Sequence, residues 1–76
     1  MWKKVDSYAL YWAAAERTGT VHLSLADGSR GSIKHLSKEE LAALGDILRN
    51  EQPVWYHSFR GDLSTERQPM DEEDRN

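Results

Sequence analysis

The chain has 76 residues, of which 38% are hydrophobic and 30% charged, with a formal net charge of -3 and no cysteine. This length accommodates one small domain with one core, and the lack of cysteine excludes disulfide bonds and thiolate metal sites. A chain this small that has neither kind of cross-link is often stabilised by self-association.

The first 15 residues show no targeting or membrane signal. No apolar run of useful length follows residues 1–6, so we predict no signal peptide. The longest apolar stretch, residues 9–15, is too short and too weakly hydrophobic to span a bilayer. We therefore expect a soluble, cytoplasmic protein.

Charge divides the chain into two parts. Residues 1–65 contain eight Lys or Arg and eight Asp or Glu, so this part is formally neutral. The net charge of -3 belongs to residues 66–76, which include an acidic run at 71–74. We predict a single α+β domain over residues 1–65 and a disordered acidic tail over residues 66–76, with a docking segment for a basic partner as the alternative for the tail.

The first segment, residues 4–15, permits two interpretations. Residues 13–17 followed by Gly19 would suit the end of a helix. Residues 5–12, however, are rich in aromatic side chains and lack a helical apolar stripe. We predict a strand that turns into the next one.

A hairpin follows. Residues 20–25 alternate between apolar and polar side chains, as in a half-buried strand. Asp27 and Gly28 then supply the residue types that a tight turn needs at positive φ, and residues 32–36 form a shorter strand.

The helix has the clearest signal. Ser37 and Glu40 have the spacing of a capping box, in which each side chain accepts the backbone N–H of the other residue. Leucines at 41, 44 and 48 form an apolar stripe at helical spacing, and Pro53 prevents the helix from continuing. Gly45 lies near this stripe, and close approach to the sheet would explain it.

The last part of the domain is β-branched and aromatic. Residues 54–59 predict a strand between Pro53 and Gly61, with a turn at 60–62 and a possible short strand at 63–65. We therefore predict an antiparallel four-stranded β-meander with one helix, in the order β-β-β-α-β, with the helix packed on one face.

Several of these segments together resemble a group of small bacterial proteins with no assigned function. The resemblance rests on an N-terminal Trp, the Asp-Gly hairpin, residues 36–44, the motif Ile47-Leu48-Arg49-Asn50-Glu51 with Pro53-Val54, and Leu63-Ser64-Thr65 before an acidic end. It implies a β-β-β-α-β architecture and carries no activity.

The polar residues do not predict catalysis. His22, His35 and His57 fall on three different predicted strands and lack a compact metal-ligand spacing. The carboxylate pair Glu39 and Glu40 is explained by helix capping, and no Ser stands in a Gly-flanked turn between strand and helix. We predict no enzyme, no catalytic residue, no cofactor and no metal.

The aromatic residues suggest a binding surface. A strand over residues 5–12 carries bulky side chains on both faces, as does the strand over 54–59, while one helix can cover only one side of a sheet. We predict a protein-interaction module, self-associating through the open aromatic sheet face, that uses Trp12, Trp55, Tyr56 and Phe59.

A different protein, added at this face or at a sheet edge, is an alternative to a second copy of the chain. Two further alternatives need no protein partner. Aromatic residues on an open sheet can stack the bases of single-stranded nucleic acid, but the neutral body and acidic tail disfavour such a ligand. The aromatic side chains can also be half exposed without any partner, or be covered by the tail or the N-terminus.

Overall fold

The computed structural model describes residues 1–65. In this part of the chain, one helix packs on an antiparallel five-stranded sheet. In chain order the elements are β1 (Trp2–Ala13), β2 (Thr18–Leu25), β3 (Arg30–Leu36), α1 (Lys38–Asn50), β4 (Trp55–His57) and β5 (Leu63–Ser64). The predicted disorder of the tail falls on residues 66–76 and lies outside the described residues.

The sheet has the strand order β3-β2-β1-β4-β5. The α+β class with one helix is confirmed, but the prediction of a four-stranded meander is wrong in two details. The fifth strand is the short segment β5, which pairs with β4. In addition, β4 pairs with β1 rather than with β3, because α1 carries the chain back across the sheet before β4 begins.

The fourth strand is shorter than the predicted span of residues 54–59. The chain turns directly after His57, whose backbone N–H donates to Asp62 and whose carbonyl accepts from Gly61, at 2.9 and 2.8 Å. Residues 58–60 therefore belong to the β4–β5 turn.

The first segment is a strand, as predicted, because β2 supplies a partner along most of its length. The register runs from Val5 opposite Leu25 to Ala13 opposite Thr18, with an irregularity between Val5 and Ser7. Between these two positions β1 advances by two residues while β2 advances by one, so Asp6 is the extra residue of a β-bulge.

The helix begins where the capping box predicts. The Ser37 hydroxyl accepts from the backbone N–H of Glu40 at 3.1 Å, and the Glu40 carboxylate accepts from the backbone N–H of Ser37 at 2.8 Å. Gly45 lies against the sheet, since a Cβ built there would be 2.9 Å from Cδ1 of Leu10. The predicted close approach is confirmed.

The core lies between α1 and the covered face of the sheet. Val21, Leu23 and Leu25 of β2 are its centre, and Val5 of β1 packs against them. The other buried apolar residues are Leu48, Val54 and Tyr56. The Tyr56 ring lies over Gly31 of β3, where a Cβ would overlap ring atoms Cε2 and Cζ.

The outer strand β3 contains a second bulge. Gly19 pairs with Leu36 and Val21 with Ile33, so Lys34 and His35 together oppose one residue of β2. His35 has a φ of 60°, a left-handed conformation that histidine adopts more readily than most residues with a Cβ. The bulge interrupts the regular hydrogen-bonding pattern of β3.

Candidate interaction surface

Part of β1 is an unpaired strand edge. β4 pairs with β1 only through Trp2, Lys3 and Lys4. Among residues 1–65, no strand lies beside residues 7–13 of β1 on the side away from β2. We call these seven residues the free edge.

The backbone groups at the free edge can be assigned from the hairpin beside it. The N–H of Leu25 donates to Ser29 and its carbonyl accepts from Gly28, each at 2.9 Å, so both groups point away from β1. Directions alternate along a strand, so the β2 residues two and four positions before Leu25 also point away from β1. The β1 residues opposite them are Tyr8 and Leu10. These two residues, and Trp12 two positions further on, therefore direct their backbone N–H and C=O groups outwards, away from β2.

Four of the seven side chains of the free edge are large and solvent-exposed. Tyr8, Leu10, Tyr11 and Trp12 are between 38% and 57% exposed. Tyr8 and Leu10 lie opposite the core residues Leu23 and Val21, so these two side chains and Trp12 form a stripe on the face that carries α1. The helix contacts Leu10 through Gly45 and leaves the outer part of the stripe uncovered.

The free edge lacks the residues that normally protect one. Residues 7–13 include no charged side chain and no proline. Proteins usually prevent unwanted pairing at an edge with Lys, proline, a bulge or a very short strand. The one bulge of β1, at Asp6, stands at the end of the free edge rather than within it. A further strand can therefore add along its whole length.

An open cleft of about 640 Å³ lies at the Asp6 end of the free edge. It separates residues 4–8 of β1 from residues 51–54, which follow α1. Asp6 and Glu51 line this cleft, and both residues are exposed. Lys4, also exposed, lines the cleft as well, so the end of the free edge is concave and carries charges of both signs.

The four residues predicted for the interaction lie in different places. Trp12 is on the free edge, whereas Tyr56 is buried in the core. Trp55 is half-buried and pairs with Lys4, eight positions from Trp12 along β1, or about 26 Å in an extended strand. Phe59, 87% exposed, lies in the β4–β5 turn. The structure does not bring them together.

Sequence alone did not assign three residues to this surface, namely Tyr8, Leu10 and Tyr11. Their signal was an uncharged, proline-free run of alternating side chains, which is typical of a strand. That run shows the strand but not its exposure, because the exposure depends on how far β4 extends beside β1. β4 covers only three residues of β1.

The histidines are not assembled into a site. His22 is exposed on β2, His35 lies in the β3 bulge and His57 is buried beside the N-terminus. Within residues 1–65, no group of three or more His, Asp or Glu side chains could hold a metal ion.

His57 makes its contacts with the β4–β5 turn and with the start of β1. Its Nδ1 atom accepts the backbone N–H groups of Phe59 and Arg60, both at 3.2 Å, which holds the β4–β5 turn. Its Nε2 atom lies 2.8 Å from the Met1 amino group, and the Trp2 ring meets the imidazole edge-on with 5.1 Å between centroids. These contacts attach β4 to the start of β1.

The face of the sheet away from α1 is polar where β1, β2 and β3 form it. A shallow groove of about 480 Å³ crosses β1, β2 and β3, and much of its lining is small or hydroxyl-bearing. Its polar residues are Ser7, His22, Ser24, Arg30 and Ser32. Tyr11 is the large exposed apolar residue that shares this side of β1.

Within the described residues, α1 is neither long nor apolar enough to cross a membrane. No protein-family model, no curated protein and no solved structure matches the chain.

Proposed function

We propose that the chain is a non-catalytic protein-interaction module that self-associates through the free edge of β1. One observation carries this proposal: within residues 1–65, seven uncharged residues form an unpaired strand edge, and the half-exposed Tyr8, Leu10 and Trp12 are among them. A cytoplasmic location belongs to the proposal on sequence grounds alone.

Strand addition suits this surface because it pairs the backbone groups of the free edge and also buries its apolar side chains. The outward backbone N–H and C=O groups gain hydrogen-bond partners, and the apolar side chains beside them lose contact with water. Each 100 Å² of apolar surface buried contributes roughly 2.5 kcal/mol before the entropic cost of association is subtracted.

A second copy of the chain is a suitable partner. Residues 1–65 carry equal numbers of positive and negative charges, so two copies approach without net repulsion between their domains. The free edge itself is uncharged. A small domain without disulfide bonds also gains stability from the additional buried surface.

The test is a charge placed on the free edge. We expect the wild-type chain to sediment as a dimer at micromolar concentrations and Leu10→Lys to sediment as a monomer, because lysine at an edge prevents strand pairing. The aliphatic part of lysine can still pack on Gly45, so the variant should fold, which circular dichroism checks.

The matched control is His22→Lys. His22 is exposed on the inner strand β2, on the face away from α1. This variant should remain a dimer if the free edge mediates association, and should become a monomer if the open face does. A wild-type chain that is monomeric at several hundred micromolar would refute self-association.

A single-stranded nucleic-acid ligand is the second candidate. The observation in its favour is the groove on the open face, where Arg30 and His22 accompany hydroxyl groups, with Tyr11 nearby. It ranks below self-association because stacking needs several aromatic rings and a positive field. Titration of the chain with fluorescent oligonucleotides at low salt tests it, and no binding there rejects it.

A further inference from the structure

The arrangement of the free edge points to one particular geometry of association. We infer that two copies pair β1 against β1 in antiparallel orientation, with Leu10 on the two-fold axis. The inference rests on the proposed function and specifies the contacts of the dimer. The two sheets then join into one continuous sheet, and each residue of the free edge has a defined partner in the second copy.

Backbone geometry limits the possible registers to three. In an antiparallel pair, residues that direct N–H and C=O groups at the partner must face residues that do the same. Those residues are Tyr8, Leu10 and Trp12, and a register that pairs at least two of them in each copy has its two-fold axis at residue 9, 10 or 11. If the axis passed between two residues, each residue that directs its backbone groups at the partner would face one that directs them at its own β2. The backbone hydrogen bonds between the copies would then be lost.

Only the axis at Leu10 uses the whole free edge. Residue 7 then faces residue 13, so all seven positions are paired, and the three outward residues of each copy form roughly six backbone hydrogen bonds. An axis at residue 9 would place the bulged, charged Asp6 opposite Trp12. An axis at residue 11 would leave Tyr8 without a partner on the free edge.

The side chains are self-complementary in the same register. On the face away from α1, the large Tyr11 faces the small Ala9 of the second copy. On the face that carries α1, Tyr8 faces Trp12 of the second copy, and aromatic cross-strand pairs of this kind stabilise antiparallel sheets. With the axis at residue 11, by contrast, two Tyr11 side chains would face one another.

The cleft at the Asp6 end of the free edge gives the second copy a further contact. Beyond Ala13, which faces Ser7, the second copy continues into its β1–β2 turn at residues 14–17. This turn then lies beside the cleft lined by Asp6 and Glu51. It brings the exposed Glu16 and Arg17 towards a cleft that carries Lys4 as well as the two carboxylates, so charges of both signs meet there.

Single cysteines distinguish the three registers, because the chain has no cysteine of its own. We would prepare Ala9→Cys and Tyr11→Cys, oxidise each alone and as an equal mixture with diamide, and separate the products without reductant. Residues 9 and 11 face each other as a non-hydrogen-bonded pair, with Cα atoms about 4.5 Å apart, which a disulfide can bridge.

The expected result is a cross-linked dimer from the mixture and none from either variant alone. Cross-linking of Ala9→Cys alone would place the axis at residue 9, and cross-linking of Tyr11→Cys alone would place it at residue 11. Either result overturns the inferred register. Both positions are exposed on the face away from α1, so the variants should fold.

A second pair of variants and one separate measurement complete the test. Ser7→Cys mixed with Ala13→Cys should also cross-link, because these residues face each other in the same register. Sedimentation of the wild-type chain reports self-association independently of the register. A dimer that forms no cross-link in either mixture refutes the β1 pairing alone, whereas a monomer refutes the proposed function as well.

Discussion

Asp27 shows how one residue holds two parts of the chain together. Its carboxylate accepts hydrogen bonds from the hydroxyl and the backbone N–H of Ser29, and it lies 2.9 Å from Nζ of Lys3. The Ser29 hydrogen bonds, followed by Lys3, hold the pKa of Asp27 far below its ordinary value. The β2–β3 turn is thus attached to the start of β1.

The lowered pKa of Asp27 predicts a loss of stability in acid. The folded-state pKa lies below the unfolded value of about 3.9, so the contribution is fully present above pH 4 and is lost as the pH falls through the folded pKa. Asp27→Asn keeps an acceptor for Ser29 but removes the charge, so it should lower the urea midpoint at pH 7. The difference from wild type should shrink towards pH 2.

The control for this prediction is Asp46→Asn. Asp46 pairs with Arg49 at 2.8 Å on the exposed surface of α1, and such a pair contributes little to stability. Its effect on the urea midpoint should be smaller than that of Asp27→Asn at pH 7. A wild-type advantage over Asp27→Asn that is equal at pH 7 and pH 2 would contradict the assigned role of Asp27.

Local sequence predicted only half of this arrangement. Asp27 and Gly28 indicate a turn by themselves, and Gly28 has a φ of 89° as such a turn requires. Lys3 could not be assigned as the partner of Asp27, because it lies 24 positions earlier and reaches the turn only through the pairing of β1 with β2.

Two glycines determine how closely the elements of the fold approach. The buried Tyr56 ring lies over Gly31, so a Cβ there has no room unless the ring moves. At Gly45, a Cβ would meet only the end of the Leu10 side chain, which is 44% exposed and free to adjust. The same substitution should therefore have different effects at the two positions.

Gly31→Ala should lower the free energy of unfolding by about 1–3 kcal/mol, the usual cost of overpacking a core. Gly45→Ala should change it by less than about 1 kcal/mol, because the higher helix propensity of alanine offsets the displacement of Leu10. Urea denaturation of both variants measures the contrast. Equal destabilisation by the two substitutions would show that the Tyr56 contact does not set the β3–β4 spacing.

Elements with local signals were predicted well, and elements with distant partners were not. The start of α1 followed from Ser37 and Glu40, which are three positions apart. The pairing of β4 with β1 joins residues more than 50 positions apart, so no local pattern reports it. The free edge exists because this distant pairing ends at Lys4. Its residues could therefore be recognised as strand, but only Trp12 among them was assigned to the surface.

At the scale of the whole molecule, self-association predicts a stability that depends on concentration. A partner that binds only the folded chain raises the unfolding temperature as its concentration rises. We expect the thermal midpoint of the wild-type chain to rise by about 5 °C over a hundredfold increase in protein concentration. Leu10→Lys should show no such rise, and a wild-type midpoint independent of concentration would contradict the dimer.

The remaining edges of the sheet determine how far assembly proceeds. The outer edge of β3 is interrupted by the Lys34–His35 bulge and begins at the charged Arg30, while β5 at the other end has only two residues. Neither offers a second long template for strand addition. A pair of copies joined through β1, as proposed, would therefore have no further long edge among residues 1–65, and it would be a finite dimer instead of a growing fibre.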